Sequence, residues 1–488
     1  MSIVRSYIDR DSWITDSATG ANFGLSPILE VWNKYNREIE RKEWARSLVR
    51  FSLTSVENDI KVSGLYPDPR TDNSVSAYIY MFNAPHGDNQ ATDFNIWAFP
   101  LTANWIEGSG LDNDKYSHTG AVNAIYATTT QKWEDITNAV SGGDAYIGHS
   151  DGNYDSNSAS MYFENGEENL KLDVTNWFKD YLDGSSSNYG FIIRMGDAEE
   201  SKTAADATAA GVDTSVTSTS FFTKKFYSKE TNTRKRPYLQ LEWPGAVKDD
   251  RKNLKFSKTA DLYYYNIVDG VYEDIDGTNK FPGFVSLSAD GNLIEPANLT
   301  ASRVSKGIYK INVGTAQNDL EEALTGINIS LSSSSRFTDT WSVTSDGFTT
   351  SQIFDNYPTL PNTGSEFVNT SNFQVTILNA KSDYERGFIG KIRIFVKNRA
   401  TVLSAVTGSS TSMNSFIVKS GTVQIREKAT DLIEIDDLEL SYDSQGNYFE
   451  LNTYNLYPSI EYKIVLKLYI NNETIYLDYP EKWNFNVL

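Results

Sequence analysis

Between Val423 and Val487 several stretches, separated by Gly, Asn and Pro turns, carry apolar side chains at every second position, and no other feature constrains the fold as strongly. Leu438, Leu440 and Tyr442 alternate with polar neighbours, Ser444-Gln-Gly-Asn offers a turn, and Tyr448-Phe-Glu-Leu continues beyond it. Further on, Tyr462, Ile464, Leu466 and Leu468 share one face, and Lys463 and Lys467 lie between them. Successive side chains of an extended chain point to opposite sides, so this period predicts half-buried antiparallel strands. The segment contains no cluster of nucleophiles or metal ligands. It predicts a scaffold.

Composition narrows the function. A chain of 488 residues is long enough for two to four domains. It has no cysteine, which excludes disulfides, zinc–thiolate centres and a cysteine nucleophile, and leans towards assembly in a reducing cytoplasm. Charges fall too early in Met1-Ser-Ile-Val-Arg-Ser-Tyr-Ile-Asp-Arg-Asp for the apolar core of a signal peptide, so none is expected. No apolar run approaches the roughly 20 residues of a membrane-spanning helix. A net charge of −20 argues against a nucleic-acid partner, because phosphates are held by Lys and Arg. With 29 Tyr, 24 Phe and 10 Trp against five Met, the vocabulary suits pleated, half-buried sheets.

In residues 1–245 strands are predicted from Tyr7 onwards and over 46–53, 75–82, 95–100, 169–174, 190–195, 224–228 and 237–243. The charge-rich run 34–44 has helical propensity but lies between strand patterns, and is predicted to be a long, partly helical hairpin loop. A helix is predicted from Val174 to Leu182, with Asp173 as N-cap, Trp177, Phe178, Tyr181 and Leu182 on one face, and Gly184 ending it. Several pieces occur in a recognisable order: the Tyr7 strand, Asn22-Phe-Gly, the Arg46 strand, Trp105-Ile-Glu-Gly, Asp173-Val-Thr, Asn188-Tyr-Gly-Phe, Phe226-Tyr-Ser-Lys-Glu and Arg236-Pro-Tyr-Leu-Gln-Leu-Glu-Trp. In these the N-terminal half resembles the DNRLRE-type domain, the jelly roll grouped with family 96 carbohydrate-binding modules. The resemblance implies a double sheet of eight to ten strands and an adhesive or surface role. Residues 144–169 and the Ala/Thr/Ser-rich insertion 197–220 depart from its pattern.

Pro244-Gly-Ala-Val-Lys-Asp-Asp-Arg-Lys reads as a linker. Beyond it, strand patterns start at Leu262, Gly283, Gly307, Ile327, Phe337 and Thr349, and a Pro-rich stretch from Tyr357 marks the next boundary. The last unit begins at Phe373. Ser302-Arg-Val-Ser-Lys-Gly-Ile-Tyr-Lys and Asp339-Thr-Trp-Ser resemble immunoglobulin-like domains of tailed-phage virion proteins. So do Ser441-Tyr-Asp-Ser-Gln-Gly-Asn-Tyr-Phe, Leu456-Tyr-Pro and the strand from Trp483 to Val487.

The chain has three histidines, His86, His118 and His149, each in a loop-like stretch. Gly148-His149-Ser150-Asp151 places triad residue types in a row, but a triad is assembled across the fold, so a polar loop is the ordinary explanation. Glycosidase chemistry needs two carboxyls held across a cleft, and no spacing rule identifies such a pair here. Asp151-Gly-Asn153-Tyr-Asp155 and Asp112-Asn-Asp114 put oxygen donors at alternate positions, as calcium loops do. Neither matches an EF-hand, and turn-forming Asp and Asn explain both. Trp13, Trp97, Trp105 and Trp133 could form a sugar platform, although burial in the core is the commoner fate of an indole.

The expected fold is all-β: an N-terminal jelly-roll β-sandwich over 1–245, followed by two immunoglobulin-like β-sandwich domains over 246–365 and 366–488. The expected role is a non-catalytic structural component of a tailed-phage virion, with other virion proteins as partners in a multi-copy assembly. It has no assigned catalytic, cofactor or metal residues and needs no nucleic acid or membrane insertion. A module binding host-surface glycan is the second reading, and a polysaccharide depolymerase the third.

Overall fold

A single long strand organises the N-terminal half. In β1 (Ser2–Thr15) Val4, Ser6 and Ile8 are buried while Arg5, Tyr7 and Asp9 are not, and from Asp11 onwards both faces are covered. A register shift between Ile8 and Arg10 separates the two regimes, as a bulge does when it bends a strand. The structure, a computed structural model, describes residues 2–36, 38, 41–85, 87, 91–111, 120–133, 156–200, 221–254, 259–275, 284–289, 291–299, 301–313, 336–345, 348–357, 373–398, 416–470, 473–478 and 483–488. They fall into two units, one of Ile3–Val62 and Asp68–Trp243, the other of Met1–Ser2, Ser63–Pro67 and Pro244–Leu488. No helix among the described residues is long and apolar enough to cross a membrane.

The first unit contains β2 (Ile28–Asn36), β3 (Arg41–Phe51), β4 (Ser76–Met81), β5 (Phe94–Pro100), β6 (Ala159–Phe163), β7 (Leu170–Asp173), β8 (Phe191–Met195), β9 (Phe222–Tyr227) and β10 (Tyr238–Trp243). Their order is β6-β5-β8-β3-β1-β10-β4-β7, with β2 joined to β3 and β9 to β2. This is an all-β unit wrapped around a core that includes Leu48, Phe99, Trp105, Trp133 and Ile192. Helix α1 (Thr54–Lys61), which the sequence reading lacks, buries Val56 and Ile60. In α2 (Thr175–Asp183) Trp177, Phe178 and Leu182 are buried, and Gly184 ends the helix at φ +80°. Asp173 lies one residue before the N-cap position, where its Oδ1 accepts from Thr175 N at 2.9 Å.

The expected hairpin loop over 34–44 is instead a two-stranded ladder, with Trp32 opposite Ala45 and Asn36 opposite Arg41. Its residues have helical propensity, yet Lys42, and Arg46 just beyond the run, are buried against α3 (Asp197–Glu200). Lys42 Nζ donates to the Glu199 carbonyl at 3.1 Å, and Glu200 pairs with both Arg46 and Arg194, at 2.5 and 2.9 Å. Partners some 150 residues away in sequence decided the conformation.

The second unit contains two sandwiches. The first has β11 (Ala260–Tyr265), β12 (Ile267–Val268), β13 (Val271–Tyr272), β14 (Phe284–Ala289), β15 (Asn292–Leu299), β16 (Ser302–Ser305), β17 (Ile308–Val313), β18 (Phe337–Ser345) and β19 (Phe348–Asn356). Sheets β11-β17-β16 and β15-β14-β18-β19 share one core, in which Leu262, Tyr264 and Tyr309 meet Val285, Leu287 and Trp341. The expected strand at Ile327 lies outside the described residues.

The last sandwich has β20 (Phe373–Ile377), β21 (Asp383–Tyr384), β22 (Ile389–Asn398), β23 (Ser420–Glu427), β24 (Ile433–Glu439), β25 (Ser441–Asp443), β26 (Gly446–Asn452), β27 (Ile460–Ile470), β28 (Glu473–Asp478) and β29 (Asn484–Val487). One sheet runs β20-β22-β26-β25 and the other β21-β29-β27-β23-β24, with β28 also on β27. Tyr462, Ile464, Leu466 and Leu468 are buried, as their alternation predicts. The Tyr462 hydroxyl accepts from Tyr457 N and donates to Tyr457 O, the backward bond of a tyrosine corner. The stretch around Leu438, Leu440 and Tyr442 is two strands rather than one. Leu440 N bonds Gly421 O at 2.9 Å in the sheet of β23 and β24, and from Ser441 the chain pairs with β26 in the opposite sheet.

The linker expected from Pro244 is a structural strap. Tyr442 N donates to Val247 O at 2.8 Å, Asp249 N donates to Tyr442 O at 3.0 Å, and Lys248 pairs with Glu439 at 2.6 Å. Beside it Val247, Tyr263, Ile308 and Tyr448 form a small core drawn from both sandwiches. The Lys391 ammonium lies 4.5 Å from the Tyr448 ring centre and 5.3 Å from that of Tyr265, and donates to the Tyr272 hydroxyl at 3.0 Å.

Candidate functional site

Four of the sequence pieces in the N-terminal unit converge on one point. Asp11 comes from β1, Asn22 from the loop after it, Glu107 from the loop after β5, and Lys229 with Glu230 from the turn after β9. Asn22 is wholly buried and holds the Glu107 loop in place. Its Nδ2 donates to the carbonyls of Glu107 at 2.7 Å and Val122 at 2.8 Å, and its Oδ1 accepts from Gly110 N at 2.8 Å. Gly24 and Gly110 are required by this close approach. A Cβ on Gly24 would overlap the Glu107 carbonyl, and one on Gly110 the Asn22 carbonyl.

The loop thereby delivers a carboxylate. One oxygen each from Asp11, Glu107 and Glu230 lies within 4.8 Å of the other two. Asp11 N donates to Glu107 Oε1 at 2.7 Å, and Lys229 N donates to Asp11 Oδ2 at 2.6 Å. The Lys229 ammonium pairs with Glu107 Oε1 at 2.6 Å and Glu230 Oε1 at 3.3 Å. Asp11 is 1 % exposed, and its Oδ1 and Glu230 Oε2 are buried without a hydrogen-bond donor. Burial first, then the charge of Glu230, pushes the Asp11 carboxyl well above its usual range, against the opposing Lys229 N–H. Two chemistries suit this arrangement: a proton shared between Asp11 and Glu230, or a bound cation. Attack on a polymer does not suit it, because the central acid is out of reach.

None of the residues weighed from sequence is a member of this cluster. His86, His118 and His149 lie outside the described residues, as do Asp112-Asn-Asp114, Asp151 to Asp155 and positions 201–220 of the insertion. Trp13, Trp105 and Trp133 are core residues, and Trp13 stacks on Phe23 with ring centres 3.6 Å apart. The Trp105 indole donates to Tyr189 O at 2.9 Å, and that of Trp133 to Asn123 O at 2.9 Å. Trp97 is half-buried on β5. Sequence reasoning did not single out Asp11, Glu107 or Glu230 as a site. The available signal was that each lies in a piece matching the jelly-roll pattern.

No protein-family model matches the chain, and no curated protein matches it. Solved structures that resemble it include titin domains Z1Z2 in complex with telethonin, at 10 % identity over 48 % of this chain and 89 % of that one, with a TM-score of 0.13. A DUF4785 family protein from Legionella pneumophila aligns at 8 % identity over 99 % of this chain and 91 % of its own, with a TM-score of 0.15. Likeness at this level carries no argument about role.

Proposed function

We propose that this chain is a non-catalytic structural component of a tailed-phage virion, at the neck, tail, baseplate or fibre attachment, working in multiple copies through protein–protein interfaces. The observation that carries the reading is the joint between the two C-terminal sandwiches. A hydrogen-bonded strap, a private apolar core and a lysine among tyrosine rings make one stiff body of them. A part that transmits position between neighbours needs such stiffness, whereas a flexible tether would not have it. Exposed edges supply attachment points: among the described residues β19 and β28 lie at sheet edges, with Ile353 64 % and Tyr476 61 % exposed. Unpaired edge strands are ready surfaces for a neighbouring chain.

One observation favours the second reading, a jelly roll that binds host-surface glycan. Trp97 and Tyr162 lie on one face of the β5–β6 pair, where Asn95 is opposite Tyr162, and Tyr162 is 54 % exposed. Against it, three of the four tryptophans weighed as a platform are in the core. Mass spectrometry of purified particles, followed by a map of the intact particle, tests the proposal. Finding the chain at stoichiometric copy number between other structural proteins supports it. Its absence from particles, together with retention on host polysaccharide, would replace it with the glycan reading.

A further inference from the structure

The geometry points to a calcium site in the N-terminal unit, formed by Asp11, Glu107 and Glu230. The donors are all carboxylate oxygens, which select hard cations over zinc or copper. Oxygens on opposite sides of Ca2+ are about 4.6–5.2 Å apart, and on opposite sides of Mg2+ about 4.0–4.2 Å. The three oxygens here lie within 4.8 Å of one another, close enough for one ion to touch all three, and a site built from three protein carboxylates suits Ca2+ better than Mg2+, which binds through one or two and keeps its waters.

Two features separate this cluster from an ordinary acidic patch. First, charge is under-compensated. Among the described residues three carboxyls meet one ammonium in contact, that of Lys229, while the nearby Arg10 guanidinium is engaged by Asn104 Oδ1 and the Trp105 carbonyl. Second, the buried acid at its centre is half satisfied. Lys229 N occupies Asp11 Oδ2, whereas Asp11 Oδ1 is buried with no donor, and Glu230 Oε2 is in the same condition. A buried carboxylate oxygen without a partner is costly, and a cation between the acids satisfies both at once. The ion would fasten β1, the Glu107 loop and the turn after β9 together, which pins one end of the sandwich.

The test uses the full chain, stripped with EDTA and titrated with CaCl2 in calorimetry and thermal unfolding. Calcium is expected to bind with one site per chain removed by Glu230→Gln, and to raise the wild-type Tm by several degrees. In Glu230→Gln, which keeps the side-chain volume, affinity at that site should fall at least tenfold and the Tm shift should vanish. Glu164→Gln, at an exposed acid of the same unit, should leave both intact. Circular dichroism confirms that each variant is folded, and Glu107→Gln is the second probe should Glu230→Gln unfold. Calcium heat and a Tm shift that survive Glu230→Gln and Glu107→Gln would overturn the assignment by placing the ion elsewhere. No response to calcium in the wild type would also overturn it, leaving a proton shared by Asp11 and Glu230. A Tm shift of equal size with MgCl2 would overturn the choice of calcium.

Discussion

Asn22 and Glu107 are 85 residues apart in sequence, and the Asn22 amide donates to the Glu107 carbonyl at 2.7 Å inside the protein. The same side chain donates to Val122 O and accepts from the backbone of Gly24 and Gly110. An amide has two donors and one carbonyl with two lone pairs, so all four of its positions are used. Replacing Asn22 with Ala leaves two carbonyls and two N–H groups without this partner. The expected loss is about 2–4 kcal/mol, read as a lower midpoint in urea denaturation. Asn22→Asp removes both donated bonds and buries a charge, and is expected to lose more.

Lys224 is a buried cation with a complete set of acceptors. Its ammonium donates to Asn83 Oδ1 at 2.8 Å, Gly166 O at 2.6 Å and Glu168 O at 2.8 Å. Lys224→Met fills the space but leaves three oxygens unmatched, and should cost about 2–4 kcal/mol in thermal or chemical unfolding. Burial pushes the Lys224 pKa down from 10.5 to about 8. Between those values the unfolded chain holds the proton that the folded chain has released. The contribution of Lys224 to stability therefore rises with pH across that window. The deficit of Lys224→Met relative to wild type should widen from pH 8 towards pH 10. A deficit that narrows would contradict the assignment.

Asp339 is wholly buried and fully matched. It accepts from Arg251 Nη2 at 2.6 Å, Trp341 Nε1 at 2.7 Å and Asn356 Nδ2 at 2.8 Å. Asp339→Ala leaves the Arg251 guanidinium, itself 9 % exposed, with Asp249 as its remaining carboxylate partner at 2.9 Å and leaves two further donors unmatched, at a cost of about 3 kcal/mol. Loss of the Trp341 indole bond should appear as altered tryptophan fluorescence in the same variant.

The joint between the C-terminal sandwiches has its own readout. Calorimetry of wild type should show these sandwiches melting together. Tyr448→Ala combined with Lys391→Ala removes a ring and the cation beside it from the shared contact. The double variant should split that transition into two, each sandwich retaining its own core. A single unsplit transition, merely shifted to lower temperature, would count against the joint as the element that couples them.

Much of the strand layout was legible in the chain. Alternation placed Tyr462, Ile464, Leu466 and Leu468 in the core without any tertiary information, and Gly184 marked the end of α2. Local patterns failed where burial had a distant cause. The run 34–44 looks helix-prone because Glu199, whose carbonyl takes the buried Lys42 ammonium, is far away in sequence. The stretch from Pro244 has a linker's composition, yet the main chain of Tyr442 makes it a strap. At Leu440 an unbroken alternation conceals a change of sheet, because the period records inside and outside and is silent about which sheet a residue joins.

What the sequence by itself determined is the all-β character of this protein. Side-chain direction reverses at each residue of an extended backbone, and that rule needs no distant partner. Only the tertiary structure decided that Asp11, Glu107 and Glu230 share a site. Asp11 and Glu107 are separated by 96 residues, and Lys229, beside Glu230, lies 122 beyond Glu107. No short-range preference relates positions so far apart. The sheet order and the Asn22-anchored loop bring their charges together, and burial gives that meeting its chemical consequence.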